Sequence, residues 1–212
     1  MKNYNQSIED CKKAVDIDPS YSQAYNLMGN AHFCLKQYQE ALEMYTKAIE
    51  LNGHNAIYYW NRADTYHKMN NYLKTIEDCK KAIDINPSYS KAYNLKGNAH
   101  FSLKQYREAL EMYTKAIELS GSVASFYWNR ADTHMTMGNY KETIEDCKRA
   151  VDINPSYSNA YNLMGRAYVN IQQYQEAVKI FQKALNLEPN NTTYKRNLQS
   201  AENDLKKATM KF

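Results

Sequence analysis

The chain has 212 residues, with 27 Lys and Arg against 23 Asp and Glu, so its net charge is only +4. Proteins that bind nucleic acid usually carry a stronger and clustered basic excess, so the composition gives no support for that class. The mean hydropathy of −0.79 argues against a membrane protein, and no apolar run approaches the roughly 18 residues that a spanning helix needs. Only 6 Gly and 4 Pro favour helices over a turn-rich β fold.

An internal repeat dominates the sequence. Residues 8–75 and 76–143 align without a gap, and 51 of the 68 positions are identical. Each block contains two weaker copies of 34 residues, with Pro or Gly at the same point near the end of each copy. We number the positions of each copy from Ser22. The five full copies, called repeats 1 to 5, are 22–55, 56–89, 90–123, 124–157 and 158–191.

The first element, residues 1–21, corresponds to the second helix of a repeat whose first helix does not precede it. Tyr4 stands at position 17, where Tyr opens the second helix of every full repeat. We expect either a fragment of a longer protein or an array that opens with a lone helix. In both cases Ile8, Cys11 and Val15 form an apolar stripe that lacks packing partners. The sequence therefore predicts a homo-oligomer that associates through the N-terminal edge, residues 4–17.

Each full repeat predicts two helices. In the first helix, Tyr at position 4, Gly or Ala at position 8 and His or Tyr at position 11 share one face. In the second helix, positions 20, 24 and 27 do the same, with an aromatic residue or Cys at position 24. The small residue at position 8 predicts a close approach of the two helices. We expect Ser22, Ser90 and Ser158 to be N-caps, and the Pro or Gly at position 32 to end the second helix.

The last element, residues 192–212, predicts an amphipathic capping helix over repeat 5. Its apolar stripe consists of Tyr194, Leu198, Ala201, Leu205 and Ala208.

This pattern resembles the tetratricopeptide repeat (TPR) family. The resemblance implies an all-α fold, a right-handed superhelix (α-solenoid) built from a half repeat, five full 34-residue repeats and the capping helix. It also implies that first helices line a concave groove. The segments 61–63, 86–93 and 188–198 are most similar to the TPR domain of small glutamine-rich TPR-containing co-chaperones.

Nothing in the sequence predicts an enzyme, a cofactor or a metal site. Cys11, Cys79 and Cys147 occupy position 24, which favours buried thiols in separate repeats over a shared metal or disulfide. No histidine pair has zinc-site spacing, and no phosphate-binding glycine loop occurs. The cysteine usage favours a cytoplasmic protein.

The groove is the candidate site. Positions 2, 5, 6, 9, 12 and 13 should point into it, and they are rich in Asn with aromatic residues between. An Asn amide has both a donor and an acceptor, so it can bracket a peptide group of an extended ligand. The alternative is a solvated polar face inherited by duplication. The predicted peptide-binding residues are Asn26, Asn30, Trp60, Asn61, Lys91, Asn94, Asn98, Trp128 and Asn129.

Two functions remain open at this point. In the co-chaperone family, a cluster of Lys, Asn and Arg grips the C-terminal carboxylate of a chaperone. Asn30, Asn61 and Lys91 match that cluster, whereas Asn26 replaces a Lys and Leu95 replaces an Arg. A clamp short of two cations should bind a carboxylate weakly. The alternative is a generic scaffold in which an Asn ladder holds any extended peptide, or a self-associating structural piece of a larger protein.

Overall fold

The computed structural model describes residues 2–210, and every regular element in that range is an α-helix. Met1 and residues 211 and 212, at the ends of the predicted first and last elements, lie outside the described residues. The helices are α1 (Lys2–Ile17), α2 (Ser22–Cys34), α3 (Tyr38–Leu51), α4 (Ala56–Lys68), α5 (Tyr72–Ile85), α6 (Ser90–Ser102), α7 (Tyr106–Leu119), α8 (Ala124–Thr136), α9 (Tyr140–Ile153), α10 (Ser158–Asn170), α11 (Tyr174–Leu187) and α12 (Thr192–Thr209). The predicted all-α fold of a lone helix, five helix pairs and a final helix is confirmed.

The helix starts correct one detail of the prediction. The N-cap of α2 is Tyr21, and no side chain caps that helix. Ser22 is already its first helical residue, and the other two predicted serine caps fail in the same way. Asparagines cap other helices instead, as Asn55 does by accepting from the backbone N–H of Ile57 at 3.0 Å.

The chain forms two compact parts, Met1–Glu108 and Ala109–Phe212. In the N-terminal part, α3 contacts α2 and α4, and α5 contacts α4 and α6. In the C-terminal part, α9 contacts α8 and α10, and α11 contacts α10 and α12. Each of these second helices therefore packs on its own first helix and on the next one.

The close approach predicted at position 8 is present within two repeats. A Cβ added to Gly29 would lie 2.6 Å from Cε1 of Tyr45, and one added to Gly165 would lie 2.6 Å from Cε1 of Phe181. The rings at position 24 fill the space that a side chain at position 8 would need. Glycine is required here by packing between helices, and not by backbone conformation.

Repeat 2 contains a buried ion pair that the sequence analysis missed. Arg62 on α4 donates from Nε and Nη2 to the two carboxylate oxygens of Asp78 on α5, both at 2.8 Å. Its Nη1 also donates to Thr46 Oγ1 on α3 at 3.0 Å. The side chains of Arg62 and Asp78 are 18% and 6% exposed. One guanidinium thus connects three helices, and Arg130 repeats the arrangement on Asp146 and Thr114 in the C-terminal part.

The two ends of the chain differ from each other. At the C-terminal end, Leu198 and Ala201 of α12 pack on Ala177 and Phe181 of α11, so the predicted cover of repeat 5 is confirmed.

At the N-terminal end, the prediction that the α1 stripe lacks packing partners is wrong for all three of its residues. Ile8 and Cys11 are buried, and Val15 is half-buried. Cys11 and Val15 pack with Ala24 and Met28 of α2. A second helix uses the same face to pack against the first helix of its own repeat and that of the next repeat. Helix α2 therefore covers much of this face of α1 by itself. The exposed apolar side chains at this end include Ile17 of α1 and Leu27 of α2.

Among the described residues, no helix combines the length and apolar character needed to cross a membrane.

Candidate functional site

Within each part the first helices lie side by side. Helix α4 contacts both α2 and α6, and α10 contacts both α8 and α12. In each part, we call the face that these first helices share the first-helix surface of that part. All nine predicted binding residues lie on helices of these surfaces.

Asn26 and Asn61 are joined to each other. The Asn61 Nδ2 group donates to Asn26 Oδ1 at 2.8 Å, and both side chains are buried. The same bond, at the same length, joins Asn197 of α12 to Asn162 of α10. These amides therefore use part of their hydrogen-bonding capacity to connect neighbouring first helices, a role that the sequence analysis did not foresee.

Other polar residues of the surface also bond to neighbouring helices. Asn30 accepts a hydrogen bond from the Tyr45 hydroxyl at 2.8 Å. Tyr58 donates to Gln23 at 3.1 Å across the gap between α2 and α4. Burial raises the pKa of Tyr45 well above its usual value, so this hydroxyl stays protonated and remains a donor.

Trp60 packs between repeats 2 and 3, and one face of its ring lies near the ammonium group of Lys91. It packs against Cys79 and Leu95, and its ring centroid lies 6.1 Å from that of Tyr89. Lys91 Nζ lies 5.9 Å from the Trp60 centroid, within cation–π range. Burial raises the pKa of Tyr89 to about 12.

Trp128 holds the equivalent place in the C-terminal part. It packs against the cluster that contains Cys147 and Leu163, and its ring centroid lies 6.1 Å from that of Tyr157. The structure thus assigns both tryptophans a packing role in addition to the predicted lining role.

The remaining predicted residues are Asn94 and Asn98 on α6 and Asn129 on α8. All three are half-buried.

A charged row on α4 lies beside the predicted residues. Asp64, His67 and Lys68 occupy positions 9, 12 and 13. Burial raises the pKa of Asp64, and the positive charges of Lys68 and His67 oppose that shift. Burial lowers the pKa of His67. The Asp64 carboxylate is thus desolvated and only partly compensated by its neighbours.

The C-terminal part carries a related acid on α8. Burial raises the pKa of Asp132, and Arg166 on α10 opposes the shift. Both acids stand at position 9, which is predicted to face the groove, but the sequence assigns them no role.

Three buried nitrogens on these helices lack a hydrogen-bond partner within residues 2–210: Nε1 of Trp60, Nε2 of His67 and Nε1 of Trp128. Buried polar atoms in native proteins are nearly all paired, so such atoms call for an explanation.

In the part of the chain that the structure describes, no group of three His, Cys, Asp or Glu side chains could hold a metal ion. Cys11, Cys79 and Cys147 are buried free thiols, as predicted, and Cys34 is exposed. Burial raises the pKa of Cys79 and Cys147, which makes them poor nucleophiles.

Comparisons with known proteins agree with this architecture. Profiles of the tetratricopeptide repeat family match residues 22–55, 56–89 and 90–122, residues 122–188 and residues 1–21. No curated protein matches the sequence.

Several solved structures are similar. The MamA protein is 25% identical with a TM-score of 0.70, and the match covers 82% of this chain and 94% of MamA. The Arabidopsis OM64 TPR domain is 35% identical with a TM-score of 0.52, over 53% of this chain and 93% of that domain. The first TPR of Spaghetti (RPAP3), bound to the HSP90 peptide SRMEEVD, is 31% identical with a TM-score of 0.54, over 55% of this chain and 92% of that chain. Since family profiles match most of its length and its helix pairs have the expected packing, this chain belongs to the tetratricopeptide repeat family.

Proposed function

We propose that the chain is a non-enzymatic scaffold that binds an extended segment of a partner protein along the first-helix surface. The observation that carries this proposal is a set of three residues on one face of α4, which we call the α4 row. Trp60, Asp64 and His67 follow one another at i, i+4 and i+7, so they share a helix face. Trp60 holds a buried nitrogen without a partner, and so does His67 at Nε2, although the His67 ring also bonds to the backbone of Asn98. Asp64 is a half-buried acid whose pKa burial raises.

An extended peptide offers the groups that this row needs. Its backbone supplies carbonyl oxygens that can accept from ring nitrogens and N–H groups that can donate to a carboxylate. Ile57, on the same helix, is 51% exposed and offers an apolar contact. TPR neighbours of this fold hold peptides, as the SRMEEVD complex illustrates.

Charge narrows the class of ligand. A negative group placed near Asp64 would add repulsion to a carboxylate that burial already destabilises, whereas a peptide N–H or a Lys or Arg side chain would relieve it. We therefore infer a neutral or basic peptide segment at α4.

The test is a titration of the full chain with three peptides of equal length, neutral, basic and acidic, all with amidated C-termini and followed by calorimetry. We expect the basic peptide to bind best. Asp64→Asn should weaken its binding about tenfold, as expected for the loss of a charge-assisted bond. Asp84→Asn, a change at an exposed position of second helix α5, should have no effect. Absence of binding by all three peptides, or equal effects of the two substitutions, would refute the proposal.

The second candidate is a co-chaperone that binds an acidic chaperone C-terminus. The similarity to the first TPR of Spaghetti favours it, as do Asn30, Asn61 and Lys91 at the matching positions. Against it, Asn26 is buried in its bond with Asn61, and Leu95 is only 5% exposed. The two missing cations therefore correspond to positions committed to packing.

A peptide ending in Glu-Glu-Val-Asp separates the two candidates. We expect it to bind at tens of micromolar or more weakly. If the free carboxylate binds at least about tenfold more tightly than the amidated form, the co-chaperone role replaces the basic-peptide role. Lys91→Ala is the matching variant, because Lys91 is exposed and its side chain makes a single described contact, the cation–π contact with Trp60.

Two further parts of the prediction stay proposals. We place the protein in the cytoplasm, on the basis of its cysteine usage. The predicted binding role of Asn94, Asn98 and Asn129 also remains to be tested by substitution.

A further inference from the structure

The N-terminal edge, together with the adjoining part of α2, borders an open groove of about 500 Å3. The groove is lined by Asp10, Cys11 and Ala14 of α1 and by Ala24 and Leu27 of α2. Leu27 is 41% exposed, an unusual state for a leucine at a repeat contact.

Other repeats show what covers a leucine at this position. Leu95 and Leu163, at position 6 of repeats 3 and 5, are 5% and 3% exposed. Trp60 packs against the cluster of Leu95, and Trp128 against the cluster of Leu163. In both cases the tryptophan stands at position 5 of the preceding first helix.

That preceding helix makes two more contacts with its own second helix. In repeat 2, Ala63 packs with Cys79, and Arg62 forms its two-pronged bond with Asp78. Helix α1 carries the same residues as the second helix of repeat 2, α5, because residues 8–14 and 76–82 are identical in sequence. Cys11 corresponds to Cys79, and Asp10 corresponds to Asp78.

The surroundings of these two acids differ. The Asp78 side chain is 6% exposed, whereas that of Asp10 is 60% exposed, with Lys13 Nζ at 3.6 Å and Gln6 Nε2 at 3.1 Å. Asp10 is therefore accessible to a guanidinium from outside the chain.

We propose that the N-terminal edge binds, in trans, an amphipathic helix that presents Trp, Arg and Ala at positions i, i+2 and i+3. The tryptophan covers Leu27, the arginine forms a two-pronged bond with Asp10, and the alanine packs on Cys11. These three residues follow the arrangement of Trp60, Arg62 and Ala63.

A second copy of this chain does not offer such a helix at its end. Helix α12 holds Arg196, Leu198 and Gln199 at the corresponding positions, and Leu198 is already buried against α11. We assign the occupant to a helix of a different protein that carries these three residues, and the predicted homo-oligomer becomes the competing outcome.

The probe is a labelled peptide with the sequence of residues 55–71, titrated into the full chain and followed by fluorescence anisotropy. We expect saturable binding that Asp10→Asn weakens about tenfold, since it removes a charge-assisted fork. Asp16→Asn, at another exposed position of α1, is the control and should leave the affinity unchanged. Asp10→Arg should bind a peptide carrying Arg62→Asp better than the original peptide.

An isolated helix of this length is marginal in water, so a second experiment supplies the helix in cis. Residues 55–71 are joined directly before Tyr4, which reproduces the natural junction between Asn71 and Tyr72. We expect a higher melting temperature and stronger hydrogen-exchange protection of residues 5–16. A matched fusion, with Trp60→Ala and Arg62→Ala in the added copy only, should lose both gains.

Two results overturn the proposal. One is a fusion no more stable than its matched control, whatever the peptide does. The other is self-association that Leu27→Asp abolishes and the peptide does not compete with, which would assign the edge to a second copy.

Discussion

Repeats 1 and 2 have the same helix pair, but different residues form the central contacts between the two helices. In repeat 1, Gly29 faces the ring of Tyr45, and Met28 packs beside Met44. In repeat 2, the same positions hold Ala63 with Cys79 and the ion pair of Arg62 with Asp78.

The difference teaches that each contact is conserved as a pair and not residue by residue. A large ring at position 24 needs glycine at position 8, whereas a thiol leaves room for alanine. Where position 7 is arginine, in repeats 2 and 4, position 23 is an aspartate that pairs with the buried charge. In repeats 1, 3 and 5, position 7 is methionine or lysine and position 23 is apolar. This coupling explains why the sequence repeats more faithfully over 68 residues than over 34.

We expect the largest change in stability when the ion pair of repeat 2 is broken. Asp78→Ala leaves the half-buried guanidinium of Arg62 without its partner, and we expect a loss of about 3–5 kcal/mol of unfolding free energy. The double variant Arg62→Met with Asp78→Met installs the apolar version found in repeat 1. The double variant should have nearly the same unfolding free energy as the parent, and it should be more stable than Asp78→Ala by several kcal/mol. Chemical denaturation followed by circular dichroism gives both values.

The matching pair in the C-terminal part is the control for context. Asp146→Ala should lose a similar amount, because Arg130 has the same two bonds and similar burial. A double variant as unstable as Asp78→Ala would show that the repeats do not exchange these pairs.

The glycine contact gives an intermediate effect. Gly29→Ala would place a Cβ 2.6 Å from the Tyr45 ring, and the overpacking should cost about 1–3 kcal/mol. Helix propensity alone predicts a gain of about 1 kcal/mol, so the sign decides between the two. Tyr45→Cys alone removes a buried ring and its bond to Asn30, so it is the reference for the pair. In that background, adding Gly29→Ala should no longer cost stability, since the pair then matches repeat 2.

Gly53→Ala is the control for this pair. The nearest atom to its new Cβ is Ile49 O at 3.5 Å, an ordinary contact. We expect a change within about 0.5 kcal/mol. A Gly29→Ala variant as stable as Gly53→Ala would refute the close approach.

The sequence was sufficient to predict the helices, the close approach at position 8 and the buried thiols. Those features follow from local periodicity and residue size, which each repeat shows independently. The sequence was not sufficient for the N-caps. The backbone N–H of Tyr21 closes a turn with Asp18 O at 3.1 Å, Tyr21 becomes the N-cap, and Ser22 is already the first helical residue.

The site was harder to predict, because its residues act between repeats. The bond between Asn26 and Asn61 joins residues 35 positions apart, and no periodicity within one repeat reveals it. The recurrence of Arg at position 7 with Asp at position 23, in repeats 2 and 4, was visible in the sequence, but the structure was needed to show that the two positions touch.

The smallest effect concerns position 9 of the first helix. In repeat 1 this position is Asn30, which accepts from Tyr45, whereas in repeat 2 it is Asp64, whose pKa burial raises above its ordinary value of 3.8. A raised folded-state pKa means that the folded chain holds this proton more tightly than the unfolded chain does. Asp64 therefore favours folding below about pH 3.8, and this contribution is lost as the pH rises through the raised value.

Asp64→Asn removes that loss, so the variant should be more stable than the parent at pH 7. The difference should shrink as the pH falls below 3.8, where the parent carboxyl is protonated in both states. Unfolding measured from pH 3 to pH 7 tests this, with Asp84→Asn as the control at an exposed position. A variant that is less stable than the parent at pH 7 would mean that Lys68 and His67 outweigh the burial of Asp64. In that case the α4 row would be satisfied within its own repeat, as Asn30 is in repeat 1, and its attraction for a basic peptide would disappear.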